Sequence, residues 1–168
     1  MKFVDSHTHL YDLEAYPEDM DLAVRRAIDA GVTKMILPDI NSESRESMFR
    51  LAERFPDNLF PCIGLHPTDV KPDTWEKELE ALDSWKGAKV WAIGETGMDL
   101  YWSKNEVEEQ KEVFRRQLHM ARELNLPVII HSRDATEPIL SVLSEFRNCG
   151  LRGVMHAYSG SAETYREL

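Results

Sequence analysis

The most constraining feature of this sequence is a short apolar run that recurs at nearly regular intervals. The runs end near positions 9, 38, 66, 95, 131 and 156, which gives intervals of 29, 28, 29, 36 and 25 residues. Stretches of helical periodicity separate them, and Pro17 is typical of a first helical position. Such alternation is typical of parallel strands joined by helical crossovers. The sequence therefore predicts a single α/β domain over residues 1–168.

Most of these runs end in a side chain that can bind a metal ion. The candidate ligands are His7, His9, His66, Glu95, His131 and His156. Residues two apart on a strand share a face, so His7 and His9 should point the same way. Carboxyl ends of parallel strands meet at one end of a (β/α) barrel, where catalytic groups of such enzymes lie. We therefore expect His7, His9, Glu95, His131 and His156 to converge in one cleft.

The chemistry of this set indicates two divalent metal ions. Imidazole and carboxylate ligands suit zinc, manganese or nickel better than calcium, and magnesium is a further candidate. More than four candidates exceed one tetrahedral site, so two ions that share a carboxylate are the economical interpretation. Glu95 is the natural bridge, because it is the only carboxylate in the set and an apolar strand precedes it.

Several residues allow other interpretations. His66 taken alone is slightly better explained as a loop histidine held by hydrogen bonds. Asp39 lies in a Pro-Asp-x-Asn sequence, where turn formation is a commoner role than metal binding. His119 lies mid-helix, away from any strand end, and we exclude it from the site.

Three residues near the predicted strand ends are candidate substrate contacts. Arg133 follows His131 and could bind a phosphate or carboxylate, but pairing with Asp134 or a neighbouring glutamate explains it equally well. Tyr101 and Trp102 could stack on nucleic-acid bases. Packing of these two rings against the following helix is at least as good an interpretation.

Composition limits the classes of partner. A formal net charge of -10 and a pI near 5.1 argue against a broad basic surface for nucleic acid. Any phosphate-bearing substrate would have to be attracted locally by metal ions or single arginines. The two cysteines form no CxxC motif, and we find neither a signal-peptide pattern nor an apolar run of about 18 residues. We expect a cytoplasmic protein without membrane contact.

Five sequence blocks resemble the TatD family of metal-dependent deoxyribonucleases. They are Asp-Ser-His-Thr-His-Leu, Gly-Leu-His-Pro, Ile-Gly-Glu-Thr-Gly-Met-Asp, Ile-Ile-His-Ser-Arg-Asp-Ala and His-Ala-Tyr-Ser-Gly, in the order and at the spacing of that family. The resemblance implies a TIM-type barrel of the amidohydrolase kind with a two-metal site. It further implies that His7 and His9 hold one metal, that Glu95 bridges, and that His131 and His156 hold the second.

The resemblance also implies a reaction and a catalytic role for two residues. The reaction is hydrolysis of phosphodiester bonds in DNA, often from the 3′ end of single strands. Glu95 would act catalytically as the bridging carboxylate, and His66 resembles an additional active-site histidine near the scissile phosphate. Residue types alone do not decide whether His66 would act as acid or base.

One departure from the family pattern concerns a late metal-binding aspartate, which has no equivalent here. Eight βα units need about 250 residues, and this sequence supplies about six. We therefore interpret it as the first two-thirds of a longer protein or as a natural truncation, and expect these residues alone to self-associate and to lack nuclease activity. The alternatives are a hydrolase of the same fold acting on another ester, such as a D-aminoacyl-tRNA, and an inactive truncated product.

Overall fold

Two three-stranded parallel sheets form the frame of the molecule. The computed structural model describes residues 1–16 and 19–166. One sheet has the order β1-β2-β3 and the other β4-β5-β6. The strands are β1 (Phe3–Asp5), β2 (Val32–Leu37), β3 (Leu59–Pro61), β4 (Ile93–Asp99), β5 (Val128–Arg133) and β6 (Gly153–Met155). The predicted α/β class and its six βα units are confirmed.

A helix follows each strand. The helices are α1 (Met20–Asp29), α2 (Ser42–Arg54), α3 (Trp75–Asp83), α4 (Val107–Leu124), α5 (Thr136–Ser144) and α6 (Ala162–Tyr165), with a 3-10 turn at Pro67–Asp69. Asp19 caps α1, where its side chain accepts a hydrogen bond from the backbone N–H of Leu22. Pro17, predicted to open this helix, lies outside the described residues. None of the described helices is both long and apolar enough to cross a bilayer.

The two sheets meet at a junction that we call the seam, where β4 runs beside the residues that follow β3. Ile63 and Ile93 form an isolated parallel bridge there. Ile63 donates to the carbonyl of Ala92 and accepts from the N–H of Gly94, over 3.2 and 2.8 Å. Asp39, just after β2, also bonds to β4 through its backbone, as donor to Gly94 and as acceptor from Glu95. The seam therefore lies at the strand ends that carry the candidate ligands.

The apolar core has a separate part behind each sheet. Helices α1 and α2 cover the first sheet through residues such as Val24, Met48 and Leu51. Helices α3 to α5 cover the second sheet, where Phe114 and Leu118 of α4 are fully buried. A small third cluster contains Cys62, Ala92 and Ile129, with Ile36 packed against it. It draws on strands or strand extensions of both sheets, so it crosses the seam.

Three local predictions require correction. Strand β3 is Leu59–Pro61, whereas the apolar run predicts Phe60 to Leu65, because hydrogen bonds of Leu65 go to a side chain rather than to a strand. Strand β4 begins at Ile93 and not at Val90, and continues through Glu95 because it pairs with β5 as far as Asp99. The first strand stops at Asp5, whose side chain accepts from the N–H of His7 over 3.1 Å. His7 and His9 therefore lie in the loop after β1 and not on the strand.

Candidate metal centre

The five predicted ligands and His66 line one cleft of about 450 Å³. They are His7, His9, His66, Glu95, His131 and His156. The first three follow β1 and β3 of the first sheet, while the others lie in β4, in β5 and just after β6. The cleft therefore receives side chains from both sheets. It lies at the carboxyl ends of the strands, where the sequence places it.

Glu95 is the centre of this arrangement and is 3% exposed at its side chain. One carboxylate oxygen lies 3.0 Å from Nε2 of His7 and 3.6 Å from Nε2 of His9. The other lies 3.0 Å from Nδ1 of His131. Such an arrangement directs several nitrogen donors at both oxygens of one buried carboxylate.

Two sets of possible ligands share Glu95. His7, Glu95 and His156 bring one donor atom each within 4.8 Å of one another, and so do His66, Glu95 and His131. The rings of His7 and His156 are stacked, with centroids 3.5 Å apart. This grouping differs from the pairing that the family resemblance implies, because His156 lies with His7. Glu95 is common to both sets, which is the position that a bridging carboxylate needs.

The chemistry of the donors fits divalent metal ions. Nδ1 of His7 is buried and has no hydrogen-bond partner in the described part of the chain. Burial lowers the pKa of His66 to about 4 and also lowers the pKa of His156, so both rings are neutral at pH 7. Burial raises the pKa of Glu95, but hydrogen bonds from the histidines outweigh it and hold the pKa below its usual range. For His131 burial lowers the pKa, but the interactions with Glu95 and Asp99 outweigh it and raise the pKa. The neutral rings of His66 and His156 and the ionised carboxylate of Glu95 are in the protonation states that metal binding requires.

Tyr11 contacts the ring nitrogen of His9 that does not face Glu95. Its ring is fully buried, its hydroxyl donates to the carbonyl of Pro38, and Nδ1 of His9 lies 2.9 Å from the same hydroxyl. Burial raises the pKa of Tyr11 well above its usual range, so the hydroxyl keeps its proton. Because a carbonyl only accepts, the single hydroxyl proton goes to Pro38, and Nδ1 of His9 must carry the proton it donates to Tyr11. In a neutral ring, Nε2 of His9 would then carry the lone pair that a metal ion needs.

Asp99 plays the corresponding role for His131. Its carboxylate lies 2.9 Å from Nε2 of His131, while the other ring nitrogen faces Glu95. The other carboxylate oxygen of Asp99 accepts from the backbone N–H groups of Tyr101 and Trp102. A carboxylate behind a metal-binding histidine fixes the orientation of the ring and increases its basicity.

Asp39 forms a buried ion pair with Arg45 instead of serving as a metal ligand. Nε of Arg45 lies 2.5 Å from its carboxylate, and both side chains are at most 1% exposed. The same carboxylate accepts from the N–H of Gly64, while Arg45 donates to the carbonyl of Gly64. Its bond to the N–H of Ile40 is the turn contact that the sequence favours. The pair links β2, α2 and the chain that leads to His66.

The three candidate substrate contacts lie together at the edge of the cleft. The guanidinium of Arg133 lies 3.7 Å from the ring centroid of Tyr101 and 5.3 Å from that of Trp102. Arg133 lines the cleft, and the rings are 54% and 70% exposed. No aspartate or glutamate of the described chain is within ion-pair distance of Arg133, so the alternative pairing is not observed there. His119 lies on α4 against Phe146, away from the cleft.

Four buried polar residues around the site were not predicted, namely Tyr11, Arg45, Gln110 and Gln117. No role was predicted for Asp99 either. A signal existed for Asp99, because it lies four residues after Glu95 and so shares its strand face. A second signal was the pair of glutamines seven residues apart in the apolar stripe of α4. Polar residues in such a stripe need buried partners, which a sequence does not identify.

Comparisons with known proteins identify the family of this chain. The family model described as TatD related DNase matches residues 4–168. The chain belongs to the TatD family. A relative named uncharacterized metal-dependent hydrolase YabD, from Bacillus subtilis, is 38% identical over 168 residues, covering 97% of this chain and 63% of its own. Another, named 3'-5' ssDNA/RNA exonuclease TatD, from Erwinia billingiae, is 32% identical over 148 residues, covering 88% of this chain and 57% of its own.

The solved structures show the same fold. The crystal structure of YjjV, a TatD homologue from Escherichia coli, superposes with a TM-score of 0.86 at 32% identity, covering 98% of this chain and 63% of that one. The predicted TatD membership is therefore confirmed. This chain spans less than two-thirds of the length of these relatives.

Proposed function

We propose that the native protein is a hydrolase that uses two divalent metal ions to cleave phosphodiester bonds in DNA. The observation that carries this proposal is the pair of ligand sets that share the buried carboxylate of Glu95. Held by these residues, such ions would lower the pKa of a water molecule and stabilise the negative charge of a phosphodiester. The proposed ligands are His7, His9, Glu95, His131 and His156.

His66 is proposed to contact the scissile phosphate. Its Nδ1 lies 2.7 Å from the hydroxyl of Thr68, which fixes the ring, and its Nε2 faces the cleft beside His131. The same position also makes His66 a possible ligand with Glu95 and His131. The two roles differ in a measurable way, because replacing a ligand lowers the number of bound ions whereas replacing a phosphate contact does not. Metal analysis of His66→Ala therefore separates them.

Single-stranded nucleic acid is the proposed substrate class. An acidic protein of net charge -10 must attract phosphate locally, and Arg133 places one guanidinium at the cleft. Tyr101 and Trp102 are exposed beside it, and base–aromatic stacking contributes about 1–3 kcal/mol per base. The relative named 3'-5' ssDNA/RNA exonuclease TatD supports this class. Bases in a single strand are free to stack on such rings.

The deciding experiment compares Glu95→Gln with His119→Ala in the native full-length protein. Loss of the shared charge should lower turnover of a single-stranded oligonucleotide by about 10² or more, because it removes a central electrostatic group. His119→Ala should retain nearly full activity, since His119 lies outside the cleft. Similar effects of the two substitutions would show that Glu95 is not the bridge.

A second comparison tests the substrate class. Trp102→Ala should raise KM for a single-stranded oligonucleotide about 10-fold and leave hydrolysis of bis-p-nitrophenyl phosphate unchanged, because the small ester has no base to stack. A protein that hydrolyses carboxylic esters with Mn²⁺ present, but neither phosphodiester, would instead be a hydrolase of another ester class.

A further inference from the structure

Two buried glutamines of α4 bind the backbone at the seam. Gln117 is fully buried, and its amide accepts from the N–H of Leu65 over 2.8 Å and donates to the carbonyl of Leu65 over 3.1 Å. Gln110 makes the same pair of bonds with Asp99, over 2.9 and 3.1 Å. Each amide therefore pairs with both polar groups of a single residue, as a neighbouring strand would.

The hydrogen bonds of the seam explain why these amides are needed. A parallel ladder continued from Ile63 would have Leu65 donate to the carbonyl of Gly94. That carbonyl accepts from the N–H of Asp39 instead, at 2.9 Å. Leu65 is thus left without a strand partner on this side, and Gln117 takes the vacant place. Unpaired backbone groups at a fully buried residue would otherwise be costly.

Asp99 is in the same situation on the other side of the seam. It pairs in register with Arg133, and the next residue, Leu100, donates to the carbonyl of Arg133. Because backbone groups alternate in direction along a strand, the N–H and carbonyl of Asp99 point away from β5 and towards the seam. Gln110 accepts from this N–H and donates to this carbonyl. It lies seven residues before Gln117, which is two helical turns or roughly 10 Å along α4.

The two bound residues each adjoin a candidate ligand. Leu65 precedes His66, which belongs to the first sheet, and Asp99 binds Nε2 of His131, which belongs to the second. The rings of His66 and His131 face each other across the seam, with Nε2 of one 3.2 Å from Nδ1 of the other. Helix α4 therefore binds Leu65 and Asp99, the two residues that support the rings of His66 and His131.

We infer that Gln110 and Gln117 are positioning residues that set the separation of His66 and His131 by holding the two sheets in register on α4. Neither glutamine lines the cleft, and both act through Leu65 and Asp99. The consequence for metal binding rests on the function proposed above, whereas the hydrogen bonding at the seam does not. The two parts can therefore be tested separately.

The first test measures hydrogen exchange, and its deciding measurement uses the unsubstituted protein. Amide hydrogen exchange of the native full-length protein should show the N–H groups of Leu65 and Asp99 protected as strongly as those of central β5 residues such as Ile130. Gln117→Met and Gln110→Met should each abolish this protection at the matching residue only. Exchange of both groups at loop rates in the unsubstituted protein would overturn the inference, whatever the variants do.

The second test measures the metal centre. Titration with Co²⁺, followed by visible absorption, should give each methionine variant about 10-fold weaker binding and an altered spectrum, because supports behind metal ligands have effects of about 10–100-fold. Val113→Ala is the matched control, since Val113 is buried on the same helix face and binds no backbone group of the seam. It should lower thermal stability and leave both the affinity and the spectrum unchanged.

The outcomes separate the inference from the proposed function. If the unsubstituted protein binds Co²⁺ and the methionine variants match the valine control, the positioning role is wrong. If the unsubstituted protein binds no Co²⁺ although Leu65 and Asp99 are protected, the proposed metal centre fails and the seam contacts stand. If the methionine variants do not fold, the exchange measurement on the unsubstituted protein still tests the inference, because unprotected N–H groups at Leu65 and Asp99 would overturn it.

Discussion

His9 reaches the cleft with a defined ring nitrogen because Tyr11 fixes the other one. The hydroxyl of Tyr11 donates its proton to the carbonyl of Pro38 and accepts a hydrogen bond from Nδ1 of His9. No feature of the sequence indicates this, since a tyrosine two residues after a histidine is unremarkable. The ligand itself was predictable from its place after an apolar run, but its support was not.

Tyr11→Phe tests this contact. The ring still fills its buried site, but Nδ1 of His9 loses its acceptor, so the ring can turn and adopt the other tautomer. We expect metal affinity to fall about 10-fold, measured by titration with Mn²⁺ or Co²⁺. Tyr16→Phe is the control, because Tyr16 packs against the same core cluster and should leave affinity unchanged. Equal affinities of the Tyr11 variant and the unsubstituted protein would contradict the assigned role.

The two cysteines should differ strongly in reactivity. Burial raises the pKa of the Cys62 thiol to about 12, and this side chain is fully buried. Because the thiolate is the reactive species, Cys62 should resist alkylation at pH 8, whereas the partly exposed Cys149 should react. Mass spectrometry after iodoacetamide treatment should show modification at Cys149 alone in the native protein and at both cysteines in denaturant. Rapid modification of Cys62 in the native state would disprove the burial.

Among the elements, β4 differs most from its prediction. The apolar run from Val90 to Gly94 indicates a strand, yet the strand extends from Ile93 to Asp99 and all seven residues are buried. The apolar run indicates that a strand exists. The residue at which that strand ends depends on its pairing with β5, which sequence periodicity does not reveal. The order of elements was predictable from the regular intervals. The seam between β3 and β4 was not, because its hydrogen bonds join residues distant in sequence.

Gly97 is required for the pairing of β4 with β5. Its φ of +128° lies in a region that other residues rarely adopt, and a Cβ there would overlap the carbonyl oxygen of His131. Gly97→Ala should therefore destabilise the protein by about 2 kcal/mol or more, measured by urea denaturation. Gly87→Ala provides the control, since a Cβ at Gly87 meets no atom within 4 Å. A Gly97 variant as stable as the Gly87 variant would exclude the close approach.

For the molecule as a whole, the candidate metal centre is a link between two parts. His7, His9 and His66 belong to the first sheet and the remaining ligands to the second, and each sheet has its own helix-covered core. In the described part of the chain, the backbone hydrogen bonds across the seam are those of the bridge at Ile63, those of Asp39 and the bond from the N–H of Trp91 to the carbonyl of Pro61. Bound ions would therefore add contacts between the sheets where backbone pairing is sparse.

Metal binding should accordingly stabilise the whole molecule. A ligand at 100 times its Kd that binds only the folded state adds about 2.7 kcal/mol, or about 5–10 °C in Tm for a domain of this size. We expect Mn²⁺ or Zn²⁺ to raise the Tm of the native full-length protein by this amount, and EDTA to reverse it. Glu95→Gln should remove the effect, because both ligand sets use Glu95. His119→Ala should keep it in full, and an equal rise of Tm in the Glu95 variant would mean that the stabilising ions bind elsewhere.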